Sequence, residues 1–343
     1  MADETDSAAI LHVGSYAKAG GRGLYRVALG ADGALNLGEA YGGAANASFA
    51  AEASGRWYVV DEMAGSLAVL GRGDAGWRID RRSATGGGQP CYVAIDPQAQ
   101  RLAVANYGSG SLALWRLDRD GWPADPPDVC HSRGSGPVAG RQDGPHCHCA
   151  VWAPDGRSLY ATDLGADAIL RFTPGAKGAL GAAETAWRAP PGSGPRHVLF
   201  HPTAPLAVLV SELASRLTTF ALADDGLREI DSRSTLPEGF AGDSLGGHLA
   251  LGAGGARVYV TNRGHDSIAV FALDRAGRNE LLEHVASGGA SPRHLLLLED
   301  LALAVVAHEH DGTLASFRIA ENGRLAATGH RATVPGACFV LRA

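Results

Sequence analysis

The sequence predicts an all-β chain closed into a seven-bladed β-propeller, each blade a four-stranded antiparallel sheet. Three observations predict it. A strand–turn–strand unit recurs six times, 47 Gly and 17 Pro punctuate short apolar runs, and the two ends of the chain read as complementary half-units.

The unit is a small or polar lead-in, an apolar strand, a Pro/Asp/Gly turn, a second apolar strand and a corner carrying Asn, Asp or Glu. It first runs from Ala47-Ser48-Phe49-Ala50 to Val59-Val60-Asp61-Glu62. It returns as Pro90-Cys91-Tyr92-Val93 with Val104-Ala105-Asn106-Tyr107, then as Cys147-His148-Cys149-Ala150 with Tyr160-Ala161-Thr162-Asp163. The fourth copy pairs Pro195-Arg196-His197-Val198 with Leu209-Val210-Ser211-Glu212. The fifth starts near Gly246 and reaches Thr261-Asn262-Arg263, and the sixth runs from Pro292-Arg293-His294 to His308-Glu309. Each unit also holds a third strand, such as Ser267 to Phe271, and usually a fourth. Ala337-Cys338-Phe339-Val340-Leu341 reads as the first strand of one more unit. His12-Val13-Gly14-Ser15-Tyr16 reads as a second strand lacking a first, so joining the two completes a seventh blade and removes an unpaired edge.

The 343 residues are 45% hydrophobic and 19% charged, with formal net charge -6 and pI near 6.1. That supports a large core and is too apolar for disorder. The acidic balance excludes a chain whose overall charge attracts nucleic acid. No run of about 18 apolar residues exists, so no membrane span is expected. The opening residues, Met1 to Asp6, are acidic, the opposite of a signal peptide's basic start. The cysteines Cys91, Cys130, Cys147, Cys149 and Cys338 are odd in number and sparse, which suits reduced thiols in a cytoplasm. Residues 8–343 are expected to form one propeller, as a monomer or weak homodimer, and residues 1–7 a disordered tail.

In a propeller the first strand of each blade lines the central channel, and side chains at its start and at the following corner converge on the axis. Ser48, Cys91 and Gly247 hold neutral starting positions, whereas His148, Arg196 and Arg293 do not. The corners add Glu62, Asn106, Asp163, Glu212 and Arg263. Arginines, a histidine and carboxylates around one axis make an anion-binding site with an acid–base pair. Strict alternation along a strand turns His197 and His294 away from their arginine neighbours, but His197 is kept among the substrate-binding candidates. The run His146-Cys147-His148-Cys149 invites a metal reading. Four adjacent residues do not wrap a tetrahedral zinc, whose structural sites use spaced pairs, so no metal and no cofactor are expected. There is no phosphate-cradling Walker segment and no Gly-x-Ser-x-Gly elbow.

Together the segments resemble the lactonase family of seven-bladed propellers, which includes 6-phosphogluconolactonases and fungal carboxymuconate cyclases. The matching residues are Gly87 to Val93, Ala105-Asn106-Tyr107, Gln142 to His148, Asp163 to Asp167 and Gly194-Pro195-Arg196-His197 with Phe200-His201-Pro202. Glu212-Leu213, Asn262-Arg263-Gly264 and Ser291-Pro292-Arg293 close the set, which covers the chain from about His12 to its end. The resemblance implies that His148, Arg196, Glu212 and Arg263 form the active site. Departures are Ser211, where the family usually has Asn, and Gly247-His248, where it usually carries an acidic residue followed by Ile-His.

The resemblance implies hydrolysis of a sugar lactone such as 6-phospho-D-glucono-1,5-lactone, a step of the pentose phosphate pathway. His148 would shuttle the proton, with Glu212 orienting it or acting as the base itself. Arg196 would stabilise the oxyanion, and Arg263 and Arg293 would hold the phosphate. Two other readings stay open. One is cycloisomerisation of a muconate-type dicarboxylate; the other is a non-catalytic propeller that binds a small anion or a protein partner. The expected ligand is a small lactone, carboxylate or phosphate, with no nucleic acid and no membrane.

Overall fold

The computed structural model describes residues 7–73, 76–175, 178–224 and 226–343, and the expected tail lies almost wholly outside them, at residues 1–6. The described strands form seven four-stranded antiparallel sheets, arranged as the blades of a propeller. The innermost strands are Ala47–Ala53, Pro90–Ile95, Cys147–Trp152, Pro195–Phe200, Leu245–Gly252, Pro292–Leu298 and Ala337–Arg342, of blades 1 to 7 in that order. The last pairs with the strand Ala9–Ser15, in register Leu11 with Arg342 and Val13 with Val340. The chain's two ends therefore share one blade.

Each innermost strand is the edge of its sheet, which is why three of them tolerate Pro at the first position. Second and third strands are sandwiched on both faces, and read as near-continuous apolar runs such as Leu206–Ser211 and Ser267–Leu273. Seven apolar clusters result, each between two neighbouring blades. Between blades 4 and 5, for example, Val208, Val210, Leu217, Val258 and Val260 are fully buried. Each such side chain contributes about 1.5–3 kcal/mol.

Every innermost strand is bulged near its start. The register slips at Pro195/His197 in blade 4, at Pro292/His294 in blade 6 and at the matching place in the others. The extra residue breaks the two-residue alternation, so two consecutive side chains face the channel. This corrects the expectation that His197 and His294 turn away: Arg196 Nη1 lies 2.9 Å from His197 Nε2.

Candidate active site

The bulges build the channel in two layers. The outer layer holds Ser48, Cys91, His148, Arg196, Gly247, Arg293 and Cys338. One residue deeper lies an aromatic and imidazole ring. Phe339 packs on Phe49 (centroids 5.1 Å), Phe49 stacks on Tyr92 (4.1 Å), and His197, His248 and His294 follow at 5.3 and 3.9 Å. His294 closes the ring on Phe339 at 5.0 Å.

The corners build the mouth. One residue of each second strand pairs opposite the start of the bulge, and the next one stands at the corner. In chain order from blade 1 these corner residues are Glu62, Tyr107, Leu164, Glu212, Arg263, Glu309 and, from the closing blade, Tyr16; Glu62, Tyr107, Glu212 and Arg263 line the cavity. Asn106 and Asp163 sit one residue earlier and do not reach the cavity, which corrects their placement on the axis. Asn106 is fully buried in its corner, where Nδ2 donates to Ser111 Oγ at 3.1 Å. Asp163 Oδ1 accepts the backbone N–H groups of His146 (2.8 Å) and Ala166 (3.0 Å). Both are turn-locking side chains.

The mouth encloses a cavity of about 230 Å³ lined by Glu62, Gln89, Cys91, Tyr107, Arg141, His148, Glu212, Arg263 and Arg293. Glu212 is its centre. Its Oε2 accepts from Arg196 Nε at 2.8 Å and pairs with Arg263 Nη2 at 2.7 Å, and His148 Nε2 lies 4.0 Å away. Its Oε1 pairs with Arg141 Nη2. Burial alone would raise the Glu212 pKa. The surrounding cations, Arg263 and Arg196 foremost, outweigh it and hold the carboxyl well below its ordinary range. His148 is neutral. Burial, then Arg196, push its pKa well below the usual imidazole value, against the opposing pull of Glu212.

Arg196 is only 2% exposed and is not part of the cavity wall. Besides Glu212 it donates to the Gly247 carbonyl at 2.8 Å and to His197, so it holds Glu212 from behind. Gly247 makes this possible: a Cβ there would stand 2.3 Å from Thr261 Oγ1 and 2.9 Å from the Pro292 carbonyl. Across the cavity, Arg293 Nη1 donates to Glu309 Oε2 at 3.0 Å, and Glu62 Oε2 accepts from Tyr16 Oη at 2.6 Å. Four guanidinium groups (Arg141, Arg196, Arg263, Arg293) face three carboxylates (Glu62, Glu212, Glu309), leaving one positive charge unmatched.

The structure therefore brings together His148, Arg196, Glu212, Arg263, Arg293, Glu62 and, in the deeper ring, His197. Sequence reasoning missed Tyr107, Glu309 and Tyr16, although each stands at the same repeat position as Glu212. It also missed Arg141, which lies outside the repeat, on the loop 132–146 between blades 2 and 3. The two thiols of the His146–Cys149 run are both buried in the apolar cluster between blades 2 and 3, where Cys149 also meets Tyr92. Among the described residues no group of three or more His, Cys, Asp or Glu side chains is disposed to hold a metal ion.

Fold and site define a seven-bladed propeller with an arginine-clamped carboxylate beside an imidazole at one mouth of its channel. Residues 10–342 match the family model described as lactonase, 7-bladed beta-propeller. The chain belongs to that lactonase family. A Bacillus subtilis protein named 6-phosphogluconolactonase is 30% identical over 340 residues, covering 94% of this chain and 95% of its own. The structure of a periplasmic gluconolactonase from Pseudomonas aeruginosa superposes with TM-score 0.89 at 26% identity, over 97% of this chain and 98% of that one. A Lactobacillus plantarum protein shares the fold, with TM-score 0.89 at 24% identity over 98% and 99% of the two chains.

Proposed function

We propose that this protein hydrolyses a sugar 1,5-lactone, with 6-phospho-D-glucono-1,5-lactone as its substrate. The observation that carries the reading is a neutral imidazole, His148, 4.0 Å from an ionised Glu212 in a cavity with surplus positive charge. His148 Nε2 takes a proton from water as its oxygen attacks the lactone carbonyl. The imidazolium formed is stabilised by the Glu212 carboxylate beside it. Arg263 faces the developing oxyanion, and Arg293 faces the phosphate. Collapse of the adduct breaks the carbonyl–ring-oxygen bond, and His148 returns its proton to the leaving alkoxide. The product acid ionises, releasing one proton per turnover. Arg196 fixes Glu212 and keeps it ionised. The same reading places the protein in the cytoplasm, as a monomer or weak homodimer, consistent with its five free cysteines.

The test is proton release with phosphorylated and unphosphorylated gluconolactone, corrected for the spontaneous rate. His148→Ala should lower kcat about 10²–10⁴-fold, and Arg196→Ala should lower it too. Turnover confined to the phosphorylated lactone would place the reaction in the pentose phosphate pathway. Full activity in both variants would sink the mechanism. Loss of diene absorbance on mixing with 3-carboxymuconate, without lactone hydrolysis, would replace it with the cycloisomerase reading. A ligand that raises Tm but is never converted would favour a binding protein.

A further inference from the structure

Glu212 is held unevenly. Its Oε2 takes two guanidinium groups that are themselves fixed: Arg196 also donates to the Gly247 carbonyl and His197, and Arg263 Nη2 to the Gly246 carbonyl at 2.9 Å. Their side chains are 2% and 11% exposed. Its Oε1 takes only Arg141, whose side chain is 34% exposed and whose other partner is the Tyr107 side chain rather than a backbone carbonyl. The backbone beneath Arg141 is nonetheless rigidly placed. Gln142 is fully buried, donates from Nε2 to the Leu164 carbonyl at 2.8 Å and accepts the Val138 N–H at 3.2 Å, while Asp143 accepts the Gly140 N–H. The loop is fixed, and the Arg141 guanidinium is tied to it by no backbone bond, only to the side chains of Glu212 and Tyr107.

Arg141 also stands at a partition. It lines the inner cavity and, with Val138, Leu213, Leu245 and Arg263, an outer chamber of about 550 Å³. Any ligand entering the inner cavity from that chamber passes its guanidinium. With its outer end open to the chamber, this guanidinium is held less firmly than the buried pairs that Arg196 and Arg263 make. A phosphate, with up to two charges and three acceptor oxygens, competes well for a guanidinium.

We propose that Arg141 is the specificity-determining residue of this site: it pairs with Glu212 Oε1 until an anionic substituent of the substrate draws it away, so that anionic lactones are preferred to neutral ones. The proposal rests on the lactonase reading. Withdrawing Arg141 leaves Glu212 with one cation fewer, so its carboxylate stabilises the imidazolium of His148 more strongly. Binding of the anion and activation of the base are then one event. The charged and titratable groups around Glu212 are Arg141, Arg196, Arg263 and the neutral His148, with Arg293 and Glu62 across the cavity.

The experiment compares wild type, Arg141→Gln and Arg141→Lys on 6-phosphoglucono-1,5-lactone and on glucono-1,5-lactone, with inorganic phosphate titrated calorimetrically into each protein. Arg141→Gln should lower kcat/KM on the phosphorylated lactone at least tenfold, chiefly through KM. It should raise kcat on the neutral lactone and move the acid limb of that pH profile to higher pH, because a cation near His148 and Glu212 is gone. Arg141→Lys, which keeps the charge but loses the bidentate fork, should retain part of the preference. The Kd for phosphate should weaken about tenfold in Arg141→Gln. Equal losses on both lactones, or no change on either, would overturn the proposal. If wild type hydrolyses neither lactone, the lactonase reading falls and the titration alone judges Arg141: tenfold weakening keeps it as the anion-recognising residue, and an unchanged Kd removes it.

Discussion

Glu212 and Arg196 show how a charged pair is kept in a channel built from apolar blades. Two buried charges are costly unless each is hydrogen-bonded on every side. Here the carboxylate has three guanidinium partners, and the guanidinium spends its other donors on a backbone carbonyl and an imidazole. His197 must be neutral for that, because Nε2 accepts the Arg196 donor. Burial, then Arg196 itself, hold it neutral by pushing its pKa well down. Phenylalanine already fills two positions of the deeper ring, at Phe49 and Phe339, so His197→Phe should pack there. It would leave Arg196 Nη1 without one acceptor, a loss of about 1–3 kcal/mol. Chemical denaturation should show that loss, and steady-state kinetics should show kcat falling more than KM. An unchanged kcat would mean Arg196 needs no such support. His148 and Arg196 were legible in the sequence because an ionisable residue among neutral equivalents stands out in a repeat, and Glu212 and Arg263 because polar corners recur at one repeat position. Arg141 was not, since a loop outside the repeat has no equivalents to compare.

At the scale of the element, the bulge in each innermost strand decides what the channel contains. Strict alternation would send every second side chain into the blade, and His197, His248 and His294 would have to be buried among valines and leucines. With the bulge they form a ring with Phe49, Tyr92 and Phe339. A bulge leaves no mark in the hydrophobic pattern that a single strand can reveal, so the sequence reading had this face wrong. The corner reading slipped for a related reason. Asn106 and Asp163 are turn-formers, conspicuous in sequence, whereas Tyr107 one residue later is the one that overhangs the site. Gly247→Ala tests the bulge of blade 5. Its Cβ would meet the Thr261 hydroxyl at 2.3 Å and the Pro292 carbonyl at 2.9 Å, so backbone must move. Overpacking of this kind costs about 1–3 kcal/mol. Because the Gly247 carbonyl holds Arg196, activity per folded molecule should fall as well. A variant with wild-type Tm and rate would show that blade 5 yields easily.

For the whole molecule, closure of the ring and acid sensitivity are the properties to measure. His248 is pushed down to about 3 and His12 to about 4, in both cases chiefly by burial, and His148, His197 and His294 are shifted the same way. The unfolded chain binds protons at these imidazoles once pH falls below about 6.5, and the folded protein does not. Stability is therefore lost as pH falls from about 6.5 toward the folded values. Glu212 adds to the loss at lower pH, since its folded pKa lies below its ordinary one and its contribution disappears as it protonates. Tm should fall steadily between pH 7 and 4, with no matching fall between pH 7 and 8; a flat acid side would show that these imidazoles titrate normally. The sequence by itself determined the all-β class, the repeat, the blade count and the joining of the two ends, because hydrophobic periodicity and turn chemistry are local and are written six times over. It also determined which corners carry charge. Only the tertiary structure decided which side chains share the cavity, because that depends on bulge register and on a loop crossing from blade 2 to blade 3. Both are set by packing between segments far apart in the chain.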